Sequence, residues 1–146
     1  MPVPHHVGGD RNRPEVRERF ASASPFEKSI GFARAIRVGE RILVSGTAPV
    51  EDDGSSTPGD AGAQAERCFA VIVRAVEALG GQAADVVRTR MLLVDAADAD
   101  AVGQAHARWF AAHPPAATMV VVAALLRSEW RVEIEAEAVV GGQGDT

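Results

Sequence analysis

The sequence predicts one α/β (α+β) domain of order β-β-α-β-α-β-β, a single mixed sheet with two helices on one face. Three observations lead to that prediction. Two segments, 60–79 and 98–113, carry apolar residues at helical spacing. Each lies between strand-like runs, the mark of crossover βαβ units. The run Val132-Glu133-Ile134-Glu135-Ala136-Glu137-Ala138 alternates apolar and acidic residues with the period of a strand. Right-handed crossovers place both helices on the same side of the sheet. The other face is then bare, and must be polar or covered by a partner.

Taken in chain order, residues 1–24 are rich in Pro, Gly, Arg and Glu and read as an extension, with at most a short helical turn over 14–20. Phe20 and Phe26 are the residues able to fasten it to the body. The main domain spans 25–141, and 142–146 form a tail. Segments 32–38 and 41–48 are two short strands around Gly39-Glu40, a tight hairpin because glycine accepts positive φ at little cost. An acidic, Gly/Ser/Pro-rich loop follows over 51–59. Asp60 is suited to cap the first helix, whose stripe is Ala65, Cys68, Phe69, Ile72, Val76 and Leu79, and Gly80-Gly81 ends it. Segment 85–95 is a strand by β-branched content. Asp98 is placed to cap the second helix, which presents Val102, Ala105 and Trp109 with His106 and Phe110 beside them; Pro114-Pro115 stops it. Strands over 118–125 and 131–140 close the chain.

A length of 146 residues with 47% hydrophobic content suits one domain with one core. The lone Cys68 has no intramolecular disulfide partner. No apolar run approaches the roughly 20 residues of a membrane helix, and the first ten residues lack the apolar stretch of a signal peptide. A cytoplasmic protein with no membrane partner is the expectation. The net charge of −5, with 15 basic residues against 20 acidic, argues against nucleic acid as a partner, since phosphate neutralisation supplies most of such affinity.

On the bare face, Glu133, Glu135 and Glu137 share one side of the last strand, and Arg88 and Arg90 share one side of the 85–95 strand. Two readings stand together: a cross-strand Arg–Glu ladder on a solvated or subunit-facing surface, or a polar cleft lined by part of it.

Val44-Ser45-Gly46-Thr47, Asp85-Val86-Val87-Arg88-Thr89, Val94-Asp95, His113-Pro114-Pro115-Ala116 and Val132-Glu133-Ile134-Glu135-Ala136 follow one another as the landmarks of the Rid (YjgF, endoribonuclease L-PSP) family do. The chain resembles that family over about residues 26–140. The resemblance implies a chorismate-mutase-like fold and a homotrimer with clefts between subunits, which supplies cover for the bare sheet face. It also implies hydrolysis of reactive imines and enamines such as 2-aminoacrylate, with no metal or cofactor. In such members an arginine in a Pro-Ala-Arg-Ser segment clamps the substrate carboxylate, and a glutamate-bound water attends the imine. Here the segment reads Pro115-Ala116-Ala117-Thr118, so the arginine position is Ala117. A charge-assisted contact of that kind is worth about 1.5–3 kcal/mol, so its loss costs roughly 10- to 150-fold in affinity for a small carboxylate. The usual cleft tyrosine is Phe32. Gly31-Phe32-Ala33-Arg34-Ala35, Arg88-Thr89-Arg90-Met91 and Ala116-Ala117-Thr118-Met119 resemble a branch of the family that lacks the arginine.

The expected site is therefore Glu133 as catalytic residue, with Phe32, Arg34, Ser45, Gly46, Arg90, Ala117 and Thr118 around the ligand. Arg34 and Arg90 are the candidates to replace the missing clamp. The expected ligand is a small molecule bearing a carbonyl or carboxylate. A non-catalytic trimeric binding or regulatory module is the alternative. Endoribonuclease activity fits less well, because paired His or Lys/His acid–base groups are lacking. Cys68 reads as a core residue, His113 as a helix C-terminal residue, and His5 and His6 make no metal site.

Overall fold

The computed structural model describes residues 16–141 and consists of a six-stranded sheet in the order β1-β2-β3-β6-β4-β5, with two long helices packed against it. The strands are β1 (Arg17–Phe20), β2 (Ala35–Val38), β3 (Arg41–Thr47), β4 (Val86–Leu93), β5 (Ala116–Val121) and β6 (Val132–Val139). The helices are α1 (Phe26–Ile30), α2 (Ala61–Ala78) and α3 (Ala99–Phe110). All pairings are antiparallel except β4 with β5. His5, His6 and the 142–146 tail lie outside the described residues.

The hairpin of β2 and β3 turns at Gly39, whose φ is +60°, as its position between two strand-like runs implied. Asp60 caps α2 by accepting a hydrogen bond from Ala63 N–H at 2.9 Å. The predicted α2 stripe is buried throughout, and Phe69, Ile72 and Val76 meet Ile42, Leu93 and Ile134 of the sheet and Val102 and Phe110 of α3 in one core. Glu66 joins the two helices by accepting from Arg108 Nε at 2.6 Å and Trp109 Nε1 at 2.8 Å. β6 runs through the middle of the sheet, and its even-numbered residues Val132, Ile134, Ala136 and Ala138 are buried while the glutamates between them are half-buried.

Four expectations need correction. Residues 17–20 form an edge strand instead of a helical turn, with Arg17 opposite Val38 and Phe20 opposite Ala35. The backbone groups of β2 on that side need partners, and Phe20 packs against the core from this position. The strand expected from residue 32 begins only at Ala35, because Gly31 ends α1 at φ +92° and the chain turns before entering the sheet. Asp98 does not cap α3 with its side chain: its carboxylate takes both Nε and Nη2 of Arg131, at 3.0 and 3.1 Å. Asp95 instead caps the preceding turn through Ala97 N–H at 2.9 Å. Finally, the penultimate strand covers Ala116–Val121, two residues earlier than its expected start, as a parallel edge strand beside β4.

No described helix is long and apolar enough to cross a membrane.

The end of α2 is fixed from two directions. Gly80 sits at φ +92°, and Arg37 of β2 donates from Nη1 to the carbonyl of Leu79 at 2.8 Å. A Cβ at position 80 would come within 2.7 Å of that same Nη1. Gly80→Ala is therefore expected to strain the backbone, displace Arg37 and lower stability by about 1–2 kcal/mol. Urea denaturation should show an earlier midpoint with an unchanged slope.

Candidate functional site

A cleft of about 440 Å³ opens where the segment from β1 to α1, the end of β3, the side of α2 and the chain before β6 come together. Phe20, Phe26, Phe32, Val71, Leu126 and Trp130 give it apolar walls, and Arg34, Gly46 and Glu133 lie among its lining. Trp130 is 3% exposed, meets the Phe26 ring edge-on at 6.2 Å, and donates from Nε1 to Ser56 Oγ at 3.0 Å. Arg127 lies over both rings, 5.2 Å from Phe26 and 5.3 Å from Trp130.

Arg34 is 4% exposed. Its Nη1 donates to Gly46 O at 2.7 Å and Thr47 Oγ1 at 3.1 Å, and its guanidinium lies 5.2 Å from the Phe32 ring centre. Nε faces Glu27 Oε2 at 3.7 Å without forming a hydrogen bond. Burial pulls the Arg34 pKa down, and the charges of Glu27 and then Glu133 oppose that pull. The group stays a cation, since an arginine does not deprotonate in a protein. Ser45 supports this arrangement from behind. Its N–H bonds Arg34 O at 2.9 Å and its Oγ donates to Ala33 O at 2.7 Å, so it holds the backbone of Arg34 and does not face the cleft.

Glu133 comes from the first turn of alternation in β6. Burial pushes its carboxyl pKa up, Arg34 pulls it down, and Glu135 adds a smaller upward push. Gly46 leaves the carboxylate room: a Cβ there would sit 3.4 Å from both Cδ and Oε2 of Glu133. A carboxyl whose pKa is raised by burial beside a fixed cation is suited to exchange a proton and to hold a water or an amine.

The other expected residues are elsewhere. Arg90 bonds Glu135 from Nη1 at 2.9 Å and lies 3.9 Å from Glu137, so within this chain it is a member of the cross-strand ladder and is not among the lining of this cleft. Ala117 and Thr118 are exposed on β5, where Ala117 pairs in register with Thr89 and Thr118 with Arg90, and neither lines the cleft. Glu27, Phe26 and Trp130 are the residues that sequence reasoning did not assign to the site. Phe26 is legible in the sequence only as a residue able to fasten the N-terminal extension to the body; for Glu27 no local signal exists.

Two groups with chemical potential are structural. Cys68 is fully buried, and that burial pushes its thiol pKa far up. His106 shares a 2.8 Å hydrogen bond with Thr89 Oγ1 and stacks among Phe69 and Phe110; burial pulls its pKa down. Among the described residues, no group of three or more His, Cys, Asp or Glu is placed to hold a metal ion.

The family model described as Endoribonuclease L-PSP matches residues 23–140. The chain belongs to the Rid family. It is 38% identical over 127 residues to the protein SCO2049 of Streptomyces coelicolor, covering 87% of this chain and 95% of that one. It is 32% identical over 111 residues to the Escherichia coli 2-iminobutanoate/2-iminopropanoate deaminase, covering 74% and 86%. Among solved structures, Rv2704 of Mycobacterium tuberculosis, a member of the YjgF/YER057c/UK114 family, superposes with a TM-score of 0.78 at 37% identity, covering 86% of this chain and all of that one. The YjgF protein of E. coli gives 0.74 at 31% identity, covering 84% and 98%. The Rid fold is thus that of the six-stranded sheet and its two helices described above.

The raised pKa of Glu133 has a consequence for stability. An acid with a higher pKa in the folded state binds more protons there than in the unfolded chain, so its contribution falls as pH rises. Stability from this group is fully present below the ordinary carboxylate pKa and is lost as pH climbs through the raised value. Glu133→Gln is expected to be more stable than the parent at neutral pH, with the advantage vanishing below about pH 4. Thermal denaturation of both proteins across a pH series measures it.

Proposed function

We propose that this Rid protein is a cleft hydrolase of imine, enamine or related carbonyl compounds, with Glu133 as its acid–base group and a substrate range shifted away from small 2-imino acids. The observation that carries the reading is the pairing of a carboxyl raised above its ordinary range with a buried guanidinium and an open glycine backbone. In the hydrolysis, Glu133 takes a proton from water as the oxygen bonds to the C=N carbon. That proton passes to the nitrogen to give a carbinolamine, and the hydroxyl proton then moves through Glu133 to the amine as the C–N bond breaks, leaving a carbonyl and ammonia. No redox partner is needed. Relatives from E. coli and Rattus norvegicus named 2-iminobutanoate/2-iminopropanoate deaminase, each 32% identical, support the reaction class.

The shift in range follows from Ala117, which brings no charge to the position where a carboxylate clamp is expected. Turnover of 2-aminoacrylate, followed beside an arginine-bearing relative, is expected to be lower by roughly 10- to 150-fold. Ala117→Arg is expected to raise it. Equal turnover by the unaltered protein removes the argument from Ala117. Failure across a panel of imines, enamines and lactams, with a metabolite still bound, favours the non-catalytic module.

The reading includes a homotrimer, through which Ala117 and Thr118 of one subunit reach the cleft of the next. Its support is the sheet face away from the helices, where Leu43 is 37% and Val120 43% exposed beside the Arg90–Glu135 pair. Light scattering is expected to give about three times 15.3 kDa. A monomer at micromolar concentration contradicts it. A cytoplasmic setting accords with this chemistry, since imines of this kind arise in metabolism.

A further inference from the structure

The deepest charge in the cleft is already neutralised by the protein's own chain. Arg34 spends Nη1 on Gly46 O and Thr47 Oγ1, and turns Nε toward Glu27. Glu27 is itself 5% exposed and is held in place by the segment that forms the cleft wall: Ser22 N–H donates to its Oε1 at 2.9 Å and Ser22 Oγ to its Oε2. The charge of Glu133 also acts on the same guanidinium. Two carboxylates therefore attend one cation at the base, so the base is negative when Glu133 is ionised and neutral when it is protonated. The other two cations of the lining do not reverse this. Arg67 is tied to Val50 O at 2.9 Å and to Asp52 at 3.1 Å, and Arg74 stands at the exposed rim, where solvent screens it. The walls above are the rings of Phe26, Phe32 and Trp130.

We propose that Glu27 sets the specificity of this cleft: by neutralising Arg34 it turns away small carboxylates and favours an uncharged amide, imine or ketone carried on an apolar, aryl-sized body. The inference rests on the functional reading above and narrows its substrate class. A carboxylate entering the cleft would lose its hydration and meet a base with no positive charge to offer. An amide-like head fits both groups at once. Its oxygen accepts from Nη2, which the bonds of Nη1 to Gly46 O and Thr47 Oγ1 do not engage, and its N–H donates to Glu133. The ring or branched chain of the ligand replaces water against the aromatic walls.

Benzamide and benzoate share a ring and differ in the charge of the head, so they make the test. Calorimetric titration of the full-length protein at pH 7.5 is expected to show benzamide bound at least about tenfold more tightly than benzoate. Glu27→Gln keeps the shape and an acceptor for Ser22 while removing the charge. It is expected to raise benzoate affinity about tenfold to a hundredfold and to leave benzamide nearly unchanged. A merely structural Glu27 would weaken both ligands together. Equal or tighter binding of benzoate by the unaltered protein overturns the proposal, and does so even if the variant fails to fold. Unchanged benzoate affinity in a folded Glu27→Gln protein overturns the role of Glu27. Binding of neither probe overturns the cleft as the ligand site, and with it the functional reading itself.

Discussion

A guanidinium buried among apolar side chains is the constraint around which this molecule is arranged. Removing such a charge from water costs several kcal/mol unless its donors and its charge are met. Arg34 meets that requirement with groups from two separate parts of the chain: the carbonyl of Gly46 and hydroxyl of Thr47 at the end of β3, and the carboxylate of Glu27 in α1. The ion pair draws α1 and the segment before it onto the end of the sheet, and so forms the cleft wall. The same cation moderates Glu133. Site and fold are thus joined at one residue, and neither can be altered there without the other.

The sheet supplies the second half of the arrangement. β6 lies between β3 and β4, paired with both, so its backbone is committed on each side and its side-chain alternation is imposed on its neighbours. The register shift in β3 between Val44 and Thr47 falls opposite Glu135, two residues along β6 from Glu133. It places Gly46 beside the Glu133 carboxylate while Val44 and Thr47 remain buried. Further along β6 the alternation is undisturbed, and the glutamates find Arg90. The strand therefore carries a reactive group at one end and an ordinary ion-pair ladder along the rest.

What could be seen in the sequence followed from local physics. α2 was legible because its cap, its buried stripe and its terminal glycine are contiguous and point to the same element. β6 was legible because strict alternation has no helical equivalent. β1 was not, since Arg17-Glu18-Arg19-Phe20 has no pattern of its own and becomes a strand only by completing the edge of β2. The sequence presents Arg34 as a free clamp on a strand face; its engagement by Glu27 depends on the turn at Gly31 and on tertiary packing. The choice between ladder and ligand for Arg90 likewise needed the register of β4 on β6, which places it opposite Glu135.

The burial of Cys68 gives the molecule an internal reporter. This is the chain's single thiol, it lies on the buried face of α2 with no exposed surface, and its environment holds it protonated. An alkylating reagent reaches it only when α2 lifts from the sheet, because the thiolate is the reactive form and neither access nor ionisation exists in the closed state. The rate of labelling in dilute denaturant thus reads the opening of the core against the sheet. Ligands that seat themselves between the aromatic wall and α2 should slow that rate in proportion to their affinity, without any introduced probe.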